Sequence, residues 1–262
     1  MKTLGILGTG LIGASIGLRA RRNEMRVLGF DESESAGSAA LRIGAIDDRI
    51  TRDALYDRCE CVILATPLEA TCEELRRLRG RPPACALVMD VASVKRPVAA
   101  AAVGVRHFVA SHPLAGGERS GPEAAREDLF EDRGWAYVPS GNDALDESAR
   151  ALIGSFGARP VAVDAATHDA AVAVTSHLPQ LVAALLAARI RAAGVEAESL
   201  SGPAAAEFLR LGDSSFELWR QIFAANADEV GAAGRSLAGS LSSICASMED
   251  GDFEPLRAAF WR

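Results

Sequence analysis

A glycine pattern near the start of the chain constrains the fold more than any other feature. Gly8-Thr9-Gly10-Leu11-Ile12-Gly13 directly follows the apolar run Thr3 to Leu7 and opens a helical stretch, Leu11 to Arg22. In a strand-loop-helix unit the first glycine permits a tight turn, the second lets a pyrophosphate approach the backbone, and the third lets the helix pack on the strand. The phosphates would bind backbone N–H groups at the positive end of the helix. The pattern predicts a dinucleotide site at residues 8–13.

An acidic residue stands where such a site needs one. Asp31 ends the second apolar run, Val27 to Phe30, at about the expected distance beyond the glycines. A carboxylate there accepts hydrogen bonds from the ribose hydroxyls and repels a 2′-phosphate, so the sequence favours NAD over NADP. The alternative is that Asp31 only caps a turn.

The pattern of apolar residues along the chain changes near residue 164. Before it, short apolar runs alternate with helical stretches, a pattern typical of parallel strands joined by helices. The runs expected to be strands are Thr3 to Leu7, Val27 to Phe30, Cys61 to Ala65, Ala86 to Val91, Phe108 to Ser111, Trp135 to Val138 and Pro160 to Val163. After it, the expected helices are Thr167 to Ala193, Pro203 to Leu211, Ser214 to Asn226 and Asp228 to Met248. The sequence predicts an α/β protein, with a Rossmann-type doubly wound, mostly parallel sheet over 1–164 and an all-helical dimerisation domain over 165–262.

The first long helix of the second half is unusually apolar. Residues 170–188 are almost continuous Ala, Val and Leu, and Pro179 predicts a kink. A helix this apolar must be covered on most sides. We therefore expect a homodimer built largely from the helical half.

Charge and composition exclude several partners. The net charge of −7, with no block of Lys and Arg, argues against nucleic acid. No apolar run reaches the roughly 18 residues that span a bilayer, and the N-terminus is typical of a strand rather than a signal peptide. Five scattered cysteines fit a reducing compartment. The expectation is a cytoplasmic protein without a membrane partner.

Ligands of an open parallel sheet bind beyond the carboxyl ends of its strands. The residues that follow the apolar runs there are Thr66, Pro67, Ser93, Lys95 and His112. We expect them to line one crevice, with Thr66, Pro67 and Ser93 beside the cofactor. His112 is the member that can act as a general base near neutral pH without a large pKa shift, and Ser93 can hydrogen-bond its imidazole. A purely structural His112 is the alternative, but a strand end beside glycines favours catalysis.

Two more histidines lie in the long helical stretch. His168 and His177 are nine residues apart, about half a turn out of phase at 3.6 residues per turn, so they should not face the same ligand. His177 shares a face with Gln180 and is the better candidate for a substrate site. No pair of histidines has the spacing of a metal site, so no metal is expected.

Four blocks of sequence together carry a specific resemblance. They are Gly8 to Ser15, Asp90 to Lys95, Ser111-His112-Pro113-Leu114-Ala115-Gly116-Gly117-Glu118-Arg119-Ser120-Gly121, and His168-Asp169 followed by Ser176-His177-Leu178-Pro179-Gln180. In this order they resemble the prephenate/arogenate (cyclohexadienyl) dehydrogenase family over nearly the whole chain. The resemblance implies NAD-dependent oxidative decarboxylation of prephenate or arogenate to 4-hydroxyphenylpyruvate or tyrosine, in tyrosine biosynthesis.

The resemblance also implies residue roles. His112 would be the catalytic histidine and Ser93 its partner. The implied substrate-site residues are Gly116, Glu118, His177 and Gln180. Arg210 matches an arginine that binds a substrate carboxylate in the family, although Leu209 stands where the family usually has Thr.

Other functions remain open on sequence alone. A β-hydroxyacid dehydrogenase or an imine reductase also joins a Rossmann half to a helical, dimer-forming half, but those enzymes use a lysine or an acid on the helix between the domains. A related enzyme could act on an amino-substituted prephenate. A module that senses NAD without turnover is the non-enzymatic alternative.

Overall fold

The chain folds as two compact units. The structure, a computed structural model, describes residues 1–117, 119–195 and 199–260. The first unit comprises Met1–Asp169 and Phe216–Ile222, and the second comprises Ala170–Ser215 and the chain from Phe223 onward. The boundary predicted at residue 164 follows the last strand, whereas the first unit runs on to Asp169.

Six parallel strands form the main sheet of the first unit. They are β1 Thr3–Leu7, β2 Arg26–Phe30, β3 Asp48–Arg49, β4 Cys61–Leu64, β5 Leu87–Asp90 and β6 Phe108–Val109, in the spatial order β3-β2-β1-β4-β5-β6. The chain winds outward from β1 on one side and from β4 on the other. The predicted doubly wound, parallel sheet is confirmed. Its strand order reverses between β1 and β4, where such sheets bind ligands.

Side chains of these strands alternate between two apolar clusters, as the period of a strand requires. Leu4 and Ile6 lie in one cluster, which also holds Trp135, whereas Val62 and Leu64 lie in the other. Helices supply the rest of both clusters. The helices of this unit up to residue 155 are α1 Leu11–Arg22, α2 Glu34–Arg42, α3 Arg52–Arg58, α4 Leu68–Gly80, α5 Arg96–Ala102 and α6 Asp143–Ser155.

A second sheet corrects the prediction of one strand from Phe108 to Ser111. That run divides after β6, and a new strand, β7 Ser111–Pro113, pairs antiparallel with β8 Gly134–Tyr137, which pairs parallel with β9 Arg159–Ala162. The Ser111 N–H donates to Asp90 Oδ1 at 2.8 Å instead of continuing the β5–β6 ladder. An apolar run of this length cannot reveal such a division, because the deciding acceptor is a side chain distant in sequence.

Helices alone make up the second unit in the described part of the chain, as predicted. A continuous helix runs through α7 Ala165–Val172, a π-helical turn Ala173–His177 and α8 Leu178–Ala192. The later helices are α9 Pro203–Gly212, α10 Phe216–Ala225, α11 Ala227–Glu249 and α12 Glu254–Phe260. Of these, α10 belongs to the first unit as far as Ile222. Helix α9 packs closely on α8, since a Cβ added at Gly212 would lie 2.5 Å from the Ala187 Cβ.

The helix Ala165–Ala192 overturns the expectation that nothing here has membrane-spanning length. It is 28 residues long and contains an 18-residue window of mean hydropathy 1.6, of which 33% is buried. The polar side chains that interrupt the apolar sequence of this helix include His168, Asp169, His177 and Gln180. All four are buried and hydrogen-bonded within the protein. Buried, hydrogen-bonded polar groups are the normal state of a protein interior.

Candidate active site

The glycine loop after β1 has the shape of a phosphate cradle. Gly8 has φ of +93°, and a Cβ added there would lie 2.5 Å from the Ala65 carbonyl oxygen. A Cβ at Gly13 would lie 2.0 Å from the Gly8 carbonyl oxygen, so both positions require glycine. At Gly10, by contrast, no described atom beyond its two chain neighbours lies within 4 Å of an added Cβ. The open backbone at Gly10 fits the approach of a dinucleotide pyrophosphate.

Asp31 is fixed beside this loop. Its Oδ2 accepts hydrogen bonds from the Thr9 N–H at 2.6 Å and the Thr9 hydroxyl at 3.1 Å, and its Oδ1 accepts from the Ser33 N–H at 2.8 Å. The carboxylate is therefore held in place at the carboxyl end of β2. Leu11 and Ile12, at the start of α1, are half-buried.

The turn after β4 lies against the glycine loop. Ala65 donates its N–H to Leu7 O at 2.7 Å, and the Thr66 methyl group would lie 3.0 Å from a Cβ at Gly8. The Thr66 carbonyl accepts from the Thr71 hydroxyl at 3.1 Å, and Pro67 caps α4. Thr66 and Pro67 therefore lie beside the cradle, and their contact with a cofactor stays a prediction.

His112 is linked to a second histidine and a carboxylate. Its Nδ1 lies 3.0 Å from the His168 Nε2, and the His168 Nδ1 lies 2.7 Å from Asp169 Oδ1. The two rings meet edge to face, with centroids 5.2 Å apart. A carboxylate only accepts, so the His168 Nδ1 carries hydrogen, and in the neutral His168 ring the Nε2 accepts from the His112 Nδ1. The lone pair of His112 is therefore on Nε2.

Asp169 is ionised and fixed from three sides. Its carboxylate accepts from His168, from the Lys95 N–H at 2.7 Å and from the Arg96 N–H at 2.8 Å, the last two at the start of α5. Burial alone would raise the pKa of Asp169. The hydrogen bonds from His168, Lys95 and Arg96 outweigh burial and lower that pKa below its usual range. A fixed negative charge therefore orients the His168 ring.

The sequence predicts that Lys95 lines the crevice, and this prediction is wrong. Its side chain is fully buried and forms an ion pair with Asp90, which is also fully buried. Its Nζ also donates to the Ser111 carbonyl at 2.5 Å. Burial lowers the pKa of Lys95, and the Asp90 carboxylate opposes that shift. The pair anchors Ser111, the residue before His112, so Lys95 acts on the site through the backbone.

Ser93 is not the hydrogen-bond partner of His112 among the described residues. His168 has that position at Nδ1, and Ser93 lies half-buried in the turn after β5. The sequence prediction preferred His177 to His168 on helix phase, and it placed His112 beyond a strand end. In the structure His112 is the middle residue of β7 and pairs with Ala136. A catalytic role for Ser93, and its contact with a cofactor, stay predictions.

The loop that follows β7 approaches the glycine loop. A Cβ added at Gly117 would lie 3.1 Å from Leu11 Cδ2, whereas no described atom lies within 4 Å of one added at Gly116. Glu118, predicted to contact substrate, lies outside the described residues. Within the first unit, then, the segment carrying His112 runs beside the predicted dinucleotide site.

The second unit holds the other predicted substrate residues. His177 and Asn226 are both buried, with the Asn226 Nδ2 3.2 Å from the His177 Nδ1. The Gln180 amide donates to Leu211 O at 2.7 Å, which fixes the end of α9 next to Arg210. The exposed Arg210 guanidinium pairs with Glu207 at 2.6 Å. Sequence reasoning missed Asn226, which no local motif marks.

Metal-ligating residues do not cluster in the described part of the chain, where no group of three or more His, Cys, Asp or Glu is placed to hold an ion. The five cysteines there are unpaired, four of them buried and Cys245 exposed. Burial raises the pKa of Cys59 and of Cys85 to about 11.

Comparison with known proteins matches both halves of the chain. The family model for the prephenate dehydrogenase nucleotide-binding domain covers residues 15–161, and the model for the prephenate dehydrogenase dimerization domain covers residues 164–261. The probable prephenate dehydrogenase NovF of Streptomyces niveus is 35% identical, over 96% of this chain and 71% of the relative. Prephenate dehydrogenase of Bacillus subtilis is 33% identical, over 87% of this chain and 65% of the relative. The chain thus spans about two thirds of the lengths of these relatives.

Solved structures agree with the sequence matches. Prephenate dehydrogenase from A. aeolicus, in complex with hydroxyphenyl propionate and NAD+, superposes with a TM-score of 0.89 at 26% identity, over 99% of this chain and 95% of the other. Arogenate dehydrogenase from Synechocystis gives a TM-score of 0.81 at 25% identity, over 98% and 96%. The chain belongs to the prephenate dehydrogenase family.

Proposed function

We propose that this protein oxidises prephenate, arogenate or both with NAD, releasing CO2 and forming 4-hydroxyphenylpyruvate or tyrosine. The observation that carries the proposal is the hydrogen-bonded series Asp169–His168–His112, which leaves a basic lone pair on the His112 Nε2. A general base needs a fixed orientation, and the hydrogen bond to His168 holds the His112 ring in one. The proposal concerns the reaction class, and the assay described below distinguishes prephenate from arogenate as the substrate.

His112 performs the proton step of this reaction. Its Nε2 takes the proton of the substrate's C4 hydroxyl, and His168 stabilises the imidazolium that forms, with Asp169 balancing the charge. NAD, when bound, accepts the hydride from C4. As the carbonyl forms at C4, the electron pair of the C1–carboxylate bond moves through the ring toward the C4 oxygen, CO2 leaves, and the ring becomes aromatic. The C4 oxygen then takes the proton back from the His112 imidazolium, which gives the phenol and restores the base. Aromatisation makes the reaction irreversible.

NAD fits the residues of the first unit. Gly10 leaves its backbone open to the pyrophosphate, and the fixed Asp31 carboxylate would accept from ribose hydroxyls. Because Thr9 and Ser33 hold this carboxylate, it cannot rotate away from a 2′-phosphate. A like-charge contact there costs more than about 1.4 kcal/mol, which is tenfold in binding. The proposal therefore includes preference for NAD over NADP.

Substrate anchoring and assembly complete the proposal. Arg210 is assigned to the substrate carboxylate, with the Gln180 contact to Leu211 holding the end of its helix. Since the dimerization-domain model of the family covers residues 164–261, we also propose a homodimer. The five unpaired cysteines support a cytoplasmic location.

The test is NADH formation by purified protein given prephenate and arogenate separately, with NADP in parallel assays. NADH and CO2 with either substrate, at a kcat/KM at least about tenfold above that with NADP, would support the proposal. An amino-substituted prephenate is assayed as a third substrate. NAD binding without turnover of any of the three would contradict an enzymatic role.

A further inference from the structure

The helix that carries His177 changes its winding just before that residue. Residues Ala173–His177 form a π-helical turn, in which the Leu178 N–H donates to Ala173 O, five residues back. Pro179 explains the change, because it has no N–H and its ring would clash with the Thr175 carbonyl in a regular α-helix. A wider turn relieves that clash, and π turns recur at functional sites. His177 is the last residue of this turn.

The buried His177 ring meets one buried amide. Asn226, which is 0% exposed, places its Nδ2 3.2 Å from the Nδ1 of His177, which is 1% exposed. An amide nitrogen only donates, so the His177 Nδ1 accepts. In the neutral ring the hydrogen is then on Nε2.

The position of Asn226 makes this contact unusual. Asn226 stands directly before α11, where an asparagine side chain normally accepts a hydrogen bond from the N–H groups of the first turn. Its backbone carbonyl accepts from the Val230 N–H at 3.0 Å, but its side chain makes no such cap. Asn142, at the start of α6, shows the usual alternative and accepts from Ala144 and Leu145. The Asn226 side chain therefore hydrogen-bonds to His177 instead of capping its own helix.

We propose that Asn226 is a positioning residue that holds His177 as the Nε2–H tautomer, so that His177 donates a hydrogen bond to a substrate oxygen and does not act as a second base. The proposal rests on the proposed dehydrogenase function. The two histidines then have opposite tautomers. Nε2 carries the lone pair in His112, whereas it carries the hydrogen in His177. A substrate with a carbonyl or carboxylate side chain offers the acceptor that such a donor requires.

The direct test is nitrogen NMR of the imidazole rings in the wild-type protein. The chain has four histidines, so a His177→Gln variant assigns the His177 signals by their loss. We expect a protonated Nε2 and an unprotonated Nδ1 at neutral pH. A His177 protonated on Nδ1 would overturn the proposal. This measurement needs no turnover, so it stands apart from the assay with prephenate and arogenate.

The kinetic test substitutes the amide. Asn226→Asp places an acceptor against the Nδ1 of His177 and should move hydrogen onto that atom, raising KM for the cyclohexadienol at least about tenfold with kcat and the KM for NAD within about threefold. Asn142→Asp is the matched control, because it makes the same change at another helix start and should leave both constants unchanged. Asn226→Ala, which removes the donor without adding charge, should mix the two tautomers in the NMR spectrum. An unchanged His177 spectrum in Asn226→Asp, or in Asn226→Ala if the charged variant does not fold, would refute the assignment.

Discussion

At the scale of single residues, the chemistry of His112 is set by hydrogen bonds to its Nδ1. His168 accepts from this atom, and Asp169 fixes the His168 tautomer in turn. The same carboxylate accepts two N–H groups at the start of α5, where the helix dipole favours an anion. One buried charge therefore orients two imidazoles. The arrangement resembles the logic of a catalytic triad, with a second histidine between base and acid.

Removing the base should mainly affect turnover. We expect His112→Asn to lower kcat about 100-fold to 10,000-fold with little change in NAD affinity, because general-base catalysis contributes about that much. His107→Asn is the control, since the His107 ring bonds the Cys85 carbonyl and makes no described contact with His112. In the wild type, kcat/KM should fall at acid pH as one group protonates, since a protonated imidazole cannot accept the substrate proton. Retention of more than about a tenth of kcat in His112→Asn would assign the proton to another residue.

Asp169 should affect both stability and turnover. Its lowered pKa means that it stabilises the fold above the unfolded-state pKa of about 3.9, and that this stabilisation is lost as pH falls through the lower folded-state value. Asp169→Asn should therefore unfold more easily than wild type at pH 7, by urea titration, with a smaller difference below about pH 4. It should also lower kcat at least about tenfold, because an amide can donate to the His168 Nδ1 and reverse the tautomer.

Asp164 provides the control for that experiment. It accepts the N–H groups of Ala166 and Thr167 at the start of α7, and hydrogen bonds from the Thr167 side chain and from these N–H groups lower its pKa. Asp164→Asn should therefore reduce stability without changing kcat. Equal kcat in the Asp164 and Asp169 variants would show that Asp169 is only structural.

Arg210 should separate binding from chemistry. We expect Arg210→Ala to raise KM for the cyclohexadienol about 30-fold, which corresponds to about 2 kcal/mol for a lost charge-assisted contact, with NAD affinity intact. Arg257→Ala is a matched control because Arg257 pairs with Glu254 three residues back, as Arg210 pairs with Glu207. An unchanged KM would transfer the role to another arginine, and Arg119 and Arg220 would be examined next.

At the scale of elements, the three glycines after β1 are required for different reasons. Gly8 and Gly13 are surrounded by backbone atoms, whereas Gly10 faces open space among the described residues. Gly10 also has φ of −68°, which any residue can adopt. The fold therefore needs the first and third glycines, and only a bound phosphate would need the second.

Alanine at Gly10 and at Gly13 should give opposite results. Gly10→Ala should keep the Tm of the unliganded protein within a few degrees and weaken NAD binding at least about tenfold, because the new methyl group obstructs the pyrophosphate. Gly13→Ala should lower Tm markedly, since its Cβ would meet the Gly8 carbonyl. Thermal unfolding and NAD titration measure both effects. Normal NAD binding by Gly10→Ala would place the phosphates elsewhere.

The elements that sequence predicts well are those with a strong local signal. β1 and α1 were placed at their observed ends because the glycines mark the turn between them. The helices α3, α5 and α12, each seven residues long, were not delimited, because so short a stretch shows little periodicity. The division between β6 and β7 depends on Asp90, which accepts the Ser111 N–H from outside the run.

The site shows the same limit. The glycines, Asp31 and His112 are found from motif and position, but His168 was set aside because a uniform helix puts it out of phase with His177. The π turn breaks that uniformity, and Pro179 was the signal for it. The adjacent His168-Asp169 pair was visible, yet nothing local shows that its imidazole meets His112.

At the scale of the whole molecule, exposed apolar side chains bear on assembly. In the helical unit Leu185 and Leu241 are 60% and 61% exposed. A dimer that buries such side chains gains roughly 25 cal/mol for each Å² of apolar surface removed from water. We therefore expect a dimer in solution.

Sedimentation at micromolar concentration should give the mass of two chains. Leu185→Asp combined with Leu241→Asp should shift the protein toward monomer, because a carboxylate is costly to bury. Val103→Asp is the control, as Val103 is 70% exposed in the first unit, and it should remain dimeric. A monomeric wild type would contradict the assembly.

The distribution of the cysteines gives the chain one natural attachment point for a chemical label. Thiol reagents attack the thiolate, and burial both shields Cys59, Cys61, Cys72 and Cys85 and raises the pKa of each. Cys245, on α11, is exposed. A maleimide dye or a nitroxide can therefore be placed in the helical unit without first removing other cysteines. Paired spins on two protomers would then report the separation of their α11 helices.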